Sequence, residues 1–388
     1  MVRIYFDYNA TAPLAPAAAE AMVRVLTSEF GNASSVHAFG QRAKAIVDDA
    51  RAEVARLIDA EPSDVVVTSG GTESDNFALR GAAETLEPAG RKHLIASRIE
   101  HEAVLTTLKA LERRGWRVTL LPVEADGVVP VRALEEAITD DTAIVSVMHA
   151  NNEIGTIQPI AALARIARAH GALFHTDAVQ SAGKIPVSVS ALEIDLLSLS
   201  AHKFGGPKGV GALWIRRGVR LTPFQTGGRQ ERNRRAGTEN VPAIAGLGVA
   251  ARIAREKIEA GTTQAALRDR LECGILDAVP GTSVNGDPSR RVPNTTNISF
   301  DGIESESLLI ALDLEGVAVS TGSACSSGSL EPSHVLRAMG GSNARTRNSL
   351  RFSLGPENTS AEIDFVLGVL PGLVTKLRGL TRTAAALR

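Results

Sequence analysis

Short apolar runs rich in β-branched residues alternate, over the first two-thirds of the chain, with stretches whose apolar positions recur every three or four residues. The runs at 65–68, 94–96, 118–121, 143–148, 173–175, 195–200 and 210–215 have strand length and predict seven buried strands. Between many of them lie helical patterns. The clearest places Ala43, Ile46, Val47, Ala50, Val54, Leu57 and Ile58 on one face. Such alternation predicts an α/β fold, a mostly parallel sheet covered by helices on both sides. From about residue 262 the pattern changes. A helix over 263–278, a strand over 296–300, a helix over 304–314, a strand over 349–354 and a final helix predict a smaller α+β unit. The Pro/Gly/Asn/Ser-rich stretch 280–294 reads as a long loop, and no internal repeat is visible.

Composition adds limits rather than a direction. A chain of 388 residues, 44% hydrophobic, is long enough for two domains. Its formal net charge of -1 gives no global basic field for nucleic acid. The arginines Arg229, Arg232, Arg234 and Arg235 share one loop without interleaved aromatics, and read as a solvated or subunit-facing loop. An acid, Asp7, interrupts the N-terminus before an apolar signal core forms, and the apolar run at 365–374 is short and holds Pro371. The expectation is a cytoplasmic protein with no membrane partner. Two cysteines, far apart, make neither a disulfide framework nor a zinc site. Cys273 lies in a helical pattern and reads as buried. Cys325 lies in a loop of small residues that offers nothing to bury it, so its thiol is a candidate for chemistry.

Candidate chemistry gathers where strands end, which is where open α/β sheets bind ligands. After 65–68 comes Ser69-Gly70-Gly71-Thr72-Glu73-Ser74, a glycine turn opening into a helix, suited to a phosphate. Its spacing matches neither a dinucleotide fingerprint nor a nucleoside-triphosphate loop. After 173–175 comes Thr176-Asp177-Ala178-Val179-Gln180-Ser181. There Asp177 either holds a protonated ring nitrogen, making the ring an electron sink, or caps the next helix. After 143–148 stands His149-Ala150-Asn151-Asn152-Glu153-Ile154-Gly155, and beyond another strand His101 is placed to stack on a flat cofactor. After 195–200, Ser200-Ala201-His202-Lys203-Phe204-Gly205-Gly206-Pro207-Lys208-Gly209 sets a lysine before a glycine-rich turn. A lysine there, partly dry, can lose its proton and attack a carbonyl as Schiff-base lysines do.

Taken in order, these stretches resemble the fold type I pyridoxal-phosphate enzymes of the class-V aminotransferase group, and more narrowly the cysteine desulfurases. The resemblance runs from Tyr5-Phe6-Asp7-Tyr8-Asn9-Ala10-Thr11-Ala12 and Gly31-Asn32-Ala33-Ser34-Ser35-Val36-His37 through the motifs above. It continues with Arg235-Ala236-Gly237-Thr238-Glu239-Asn240 and Ser323-Ala324-Cys325-Ser326-Ser327, and ends at Leu350-Arg351-Phe352-Ser353-Leu354. The continuation Gly328-Ser329-Leu330-Glu331-Pro332-Ser333-His334 is similar to the long-loop branch, which serves iron–sulfur assembly or nitrogen fixation. The stretches 339–348 and 355–358 depart from that branch, and the C-terminus does not resemble the tail with which its members grip a scaffold protein.

The resemblance implies a large cofactor-binding domain over 14–261 and a small domain of 1–13 and 262–388 that carries a mobile cysteine loop. It implies Lys203 as the Schiff-base lysine of pyridoxal 5'-phosphate. Gly71, Thr72, Ser200 and His202 would hold the phosphate, and Thr238 would reach the phosphate of the other subunit of a homodimer. Asp177 would pair the pyridine nitrogen, Gln180 the ring hydroxyl oxygen, and His101 would stack on the ring. Asn152 and Arg351 would hold the carboxylate of L-cysteine, for which the planar guanidinium fork is suited. Cys325 would take sulfur as a persulfide and deliver it to an iron–sulfur scaffold or other acceptor protein, sharing a cluster iron with the scaffold in passing. A selenocysteine lyase, or another fold type I enzyme, would keep Lys203 without needing Cys325.

Overall fold

The computed structural model describes residues 3–261, 263–321 and 332–386. Seven strands form one sheet: Val65–Thr68 (β1), His93–Ser97 (β2), Arg117–Leu121 (β3), Thr142–Ser146 (β4), Leu173–Asp177 (β5), Leu196–Ser200 (β6) and Gly211–Ile215 (β7). Their order is β1-β7-β6-β5-β4-β2-β3. Only β7 runs antiparallel to its neighbours. All seven predicted runs are strands of this sheet, and their residues divide between its faces largely by alternation, broken at Ala143 and Ile144 where the register shifts. Val65, Val67, Ile95, Leu197, Leu199, Ala212 and Trp214 join one core, with the helices Ala38–Leu57 and Val241–Ala260. Val66, Leu94, Ala96, Leu196, Leu213 and Ile215 join the other, with the helices Gly71–Leu86 and Glu102–Glu112. Both faces are dry, which is why these strands read as continuous apolar runs.

A second sheet, Thr282–Val284 (β8), Thr295–Phe300 (β9) and Ser349–Ser353 (β10), is antiparallel with β9 in the middle. Strand β8 corrects the reading of 280–294 as loop throughout. Its three residues, only partly buried at the sheet's edge, are too few to show an alternating pattern. This sheet packs with the helices Gln264–Ala278, Ser305–Leu314 and Ser360–Ala386 around Phe6, Leu271, Ile298, Phe300, Leu312, Phe352 and Val366. Ile4–Tyr5 pairs in parallel with Val317–Ala318, so the N-terminus belongs to this second core. Cys273, expected to be buried, is exposed: it stands on the outer side of a helix that buries Leu271 and Ile275. Pro371 lies inside the last helix. Among the described residues no helix is long and apolar enough to cross a membrane.

The parallel strands β1, β2, β4, β5 and β6 end at one edge, at Thr68, Ser97, Ser146, Asp177 and Ser200. Gly211 opens β7 at the same edge, in register with Thr68 on one side and Ser200 on the other. A Cβ at Gly211 would stand 2.5 Å from the Leu199 carbonyl oxygen and 2.7 Å from Gly70 Cα, both backbone atoms that cannot swing away. Gly211→Ala is therefore expected to lower the unfolding free energy by about 1–3 kcal/mol. Gly368→Ala, in the last helix with open space around it, should leave stability unchanged or raise it by about 0.5–1 kcal/mol. Urea denaturation of the two variants checks both, and equal effects would refute the backbone approach at Gly211.

Candidate functional site

At the end of β1 the chain turns through Gly70, whose φ of 148° favours glycine, into the helix Gly71–Leu86. No side chain caps this helix at Gly70. Its first N–H groups and its dipole make a place for an anion. Gly71 is closely packed, since a Cβ there would lie 2.9 Å from Val179 Cγ2, and Ser200 borders the same turn. Thr72 is exposed at the helix start. The turn is clamped from behind. Ser69 N donates to Glu73 Oε2 at 2.7 Å, and Arg235 grips Glu73 through Nε at 2.8 Å and Nη2 at 3.2 Å. Thr238, exposed, lines a cavity of about 190 Å³ with Thr68, Ser69 and Arg235.

The arginine-rich loop is tied down. Arg234 Nη2 donates to the Ser63 carbonyl at 2.9 Å, as does Arg232 Nη1 at 2.6 Å. Just before them Glu231, buried, receives both arms of Arg51 at 2.6 and 2.7 Å and accepts from Val67 N at 3.1 Å. Arg51 Nη1 also donates to the Val65 carbonyl at 2.9 Å. The outer edge of β1 is thus satisfied by an ion pair, and residues 231–233 take left-handed backbone, with φ of 47°, 58° and 64°, to deliver it.

Lys203 follows β6 in a single turn of 3₁₀-helix, Ala201–Lys203. Its Nζ donates to the Asn9 carbonyl at 2.6 Å and the Ala10 carbonyl at 2.9 Å. Gln180 Nε2 donates to the same Asn9 carbonyl at 2.9 Å. The N-terminal stretch around Asn9 therefore crosses the strand ends and collects the lysine and the amide at one oxygen. His202 reaches it too, with Nδ1 3.1 Å from Thr11 Oγ1. Burial, with Lys203 and Lys208 nearby, lowers the His202 imidazole to about 4, so it is neutral at pH 7. His101 caps the helix Glu102–Glu112, its Nδ1 accepting from Ala103 N at 3.1 Å, which leaves Nε2 as the ring nitrogen that carries a proton. A cavity of about 570 Å³ also touches Lys203, but Thr72, His101, Asp177, Gln180 and Arg351 do not line it, so it lies apart from the strand-end cluster.

Asp177 ends β5 and is buried, with Oδ1 accepting from Val179 N at 2.8 Å. It therefore closes a turn rather than capping a helix, since no helix stands between β5 and β6, and it keeps a second oxygen for other work. Burial raises its carboxyl above the usual range, against the pull of His101, the Val179 N–H and Lys203. Two further carboxyls lie close by, unforeseen in the sequence. Asp75, wholly buried, is raised well above the usual range by desolvation and by Asp177 itself. It lies 3.6 Å from His175 Nε2, and that ring also joins Ser146 and Ser198 at 2.8 and 2.9 Å. Glu100 accepts from Ser97 Oγ and, at 2.9 Å, from Met148 N. A dry site tolerates one negative charge here far better than three. The raised carboxyls of Asp75 and Glu100 favour leaving that charge to Asp177 when a cation meets it.

Arg351, on β10, is buried rather than solvated. Its Nη2 pairs with Asp7 Oδ1 at 2.6 Å and its Nη1 donates to the Asn152 carbonyl at 2.9 Å. Its Nε is buried without a partner, a donor that an arriving carboxylate can satisfy. Cys325 lies outside the described residues. The chain on either side is anchored beside the site. Ser320 exchanges backbone hydrogen bonds with Arg351 at 2.7 and 3.2 Å, Ser333 Oγ donates to Glu153 Oε2 at 2.6 Å, and His334 Nε2 meets the Glu100 carbonyl at 3.0 Å. Asn9, Asp7, Lys184, Asp75 and Glu100 were not singled out in the sequence. Asn9 and Asp7 stand in the N-terminal motif and Asp75 follows the glycine turn, but nothing in their spacing announces a partner so distant in the chain.

Glu100 gives the cluster a pH signature. Burial lifts its carboxyl from 4.5 to about 8, despite the Ser97 and Met148 donors. The folded state binds this proton more tightly than the unfolded chain, so stability falls as pH climbs from about 4.5 towards 8. Glu100→Gln should remove that fall. We expect it to be more stable than the native chain by at least about 1 kcal/mol at pH 8, with the gap closing towards pH 4.5. Urea denaturation across this range would refute the assignment if the two curves ran parallel.

The model of the family described as aminotransferase class-V matches residues 4–366. A cysteine desulfurase of Gluconacetobacter diazotrophicus is 51% identical over 98% of this chain and 96% of that protein. Cysteine desulfurase IscS of Methanosarcina thermophila is 50% identical over 97% of this chain and 93% of its own. Among solved structures, a NifS-like protein superimposes with a TM-score of 0.91 at 38% identity, covering 97% of this chain and all of that one. Family model, relatives and solved fold agree over nearly the full length. The chain belongs to the pyridoxal-phosphate-dependent class-V aminotransferase family, among its cysteine desulfurases.

Proposed function

We propose that this chain converts L-cysteine to L-alanine, takes the sulfur as a persulfide on Cys325, and delivers it for iron–sulfur cluster assembly. The observation that carries the reading is the meeting, at one sheet edge, of an anion-ready helix start, a buried acid and a lysine, with an arginine of the second sheet tied to the same N-terminal segment as that lysine. When bound, pyridoxal phosphate supplies an aldehyde for amine capture and a ring that spreads negative charge from a substrate α-carbon. The donor set fits it. In this reading the Gly71 N–H and Thr72 cradle the phosphate with Ser200 and His202. Asp177 holds the ring-nitrogen proton, Gln180 donates to the ring oxygen, and His101 lies against the ring.

Arg351 and Asn152 hold the cysteine carboxylate, with Asp7 orienting the guanidinium. Lys203 would hold the cofactor through its amine and, once that amine is free, would take the substrate α-proton on Nζ. The Cys325 thiolate then attacks the substrate sulfur. The carbon–sulfur bond breaks, a sulfur–sulfur bond forms, and the α- and β-carbons recover protons as alanine leaves. The anchoring of residues 320 and 333 beside Arg351 and Glu153 supports delivery of that thiol from the segment between them.

The reading extends to organisation. Residues 14–261 would form the cofactor domain, and 1–13 with 262–388 the small domain, in keeping with their separate cores. A homodimer, in which Thr238 reaches the partner's phosphate, is supported by exposed apolar residues near the N-terminus, among them Phe30 at 79% and Val36 at 89% exposure. Likeness to cysteine desulfurases over nearly the full length supports sulfur transfer to an acceptor protein, which in this reading is a scaffold or other acceptor in the cytoplasm. Cys325→Ala should keep the yellow bound cofactor yet release sulfide from cysteine about 10³-fold more slowly or worse. Lys203→Ala should lose the borohydride-reducible link to the cofactor. Sulfide assays and mass mapping of the reduced protein check these, and undiminished sulfide release without Cys325 would overturn the proposal.

A further inference from the structure

Lys184 is a lysine that the chemistry above leaves without a task. It lies four residues beyond Gln180, in the turns that follow β5. Its stem lines the large cavity behind Lys203, while its Nζ donates to Gln180 Oε1 at 2.6 Å and to Asn9 Oδ1 at 2.7 Å. Both partners are acceptors. With its oxygen facing the amine, the Gln180 amide turns its NH₂ the other way, where one hydrogen meets the Asn9 carbonyl at 2.9 Å and the other is left over. Flipping the amide would set donor against donor at Lys184 and acceptor against acceptor at Asn9.

Asn9 is fixed by the same logic. Its Oδ1 accepts from Lys184 and, at 3.0 Å, from Asn294 Nδ2. Its Nδ2 donates to Thr295 Oγ1 at 2.8 Å and to the Asn152 carbonyl at 3.0 Å. Its own carbonyl receives Gln180 and Lys203. One amine thus sets the sense of two amides, and through them the oxygen against which the Schiff-base lysine rests. Burial, with Lys203 and Arg351 nearby, holds the Lys184 amine well below the usual lysine range.

We propose that Lys184 is a positioning residue, which fixes the Gln180 amide with its NH₂ turned to the cofactor's ring oxygen and holds the Asn9 carbonyl that locates Lys203. This rests on the reading of Gln180 given above. The test is a double-mutant cycle on the full chain, reading the dissociation constant for pyridoxal phosphate and the visible absorption maximum of the bound cofactor. Lys184→Met removes the donors and keeps the length of the stem. It should weaken cofactor binding about tenfold, the scale of one lost buried hydrogen bond, and shift the absorption band. Gln180→Leu should do the same, and the double variant should be no weaker than Gln180→Leu alone.

If Lys184→Met does not fold, Lys184→Gln enters the same cycle, since it retains a donor of shorter reach and should fall between. Additive losses, or native affinity with an unmoved band in Lys184→Met, would overturn the role of Lys184. A native protein that takes up no pyridoxal phosphate would instead sink the cofactor site itself, so the two failures are distinguishable.

Discussion

One buried carbonyl, that of Asn9, holds the site together. It belongs to a segment that pairs with the second sheet's core, yet it accepts from Lys203 after β6 and from Gln180 after β5. A carbonyl has two lone pairs, and both are used. The side chain of the same residue reaches Thr295 and Asn294 near the start of β9, and the Asn152 carbonyl that also receives Arg351. Residues separated by hundreds of positions thereby share one polar node. In an apolar surround each unmade bond would carry a desolvation penalty, so the node specifies one geometry.

Around that node the protein controls charge by drying it out. Asp177 raises the carboxyls of both Asp75 and Glu100, Glu100 adds to the rise at Asp75, and burial raises all three. The neighbouring imidazoles are driven the other way: His175 to about 3, and His149 and His202 to about 4, with burial the leading cause for each. Burial therefore works against charge on these carboxyls and imidazoles until a ligand brings a partner. That is the setting in which electrostatic contacts to a ligand are strong, because little water competes.

The large sheet was legible because both its faces are covered, so that strands 65–68, 143–148 and 195–200 appear as unbroken apolar runs. β8 was hidden because three partly buried edge residues carry no pattern. The exposure of Cys273 was misjudged because a helical period does not say which of two adjacent positions the core takes. Strand-end chemistry was visible wherever a motif is contiguous, as at Gly70-Gly71-Thr72 and Lys203. The resemblance carried Asp177, Gln180, His101, Asn152 and Arg351 further than spacing alone. Invisible were the partners brought from afar: Asp7 for Arg351, Asn9 for Lys203, Asp75 beneath Asp177. Each is a lone polar residue whose meaning exists only after folding, and long-range pairing leaves no local trace.

The Arg51–Glu231 clasp has an effect that reaches past its own neighbourhood. Its side chains are 7% and 2% exposed, so dissolved ions cannot interpose, whereas pairs such as Lys44–Asp48, about half exposed on both sides, are open to them. Raising ionic strength will therefore strip the outer charges of this protein while β1, and the glycine bend it feeds, stay where they are. The frame proposed to receive the phosphate is insulated from the salinity of its surroundings, even though the attraction that first draws an anion towards it is not.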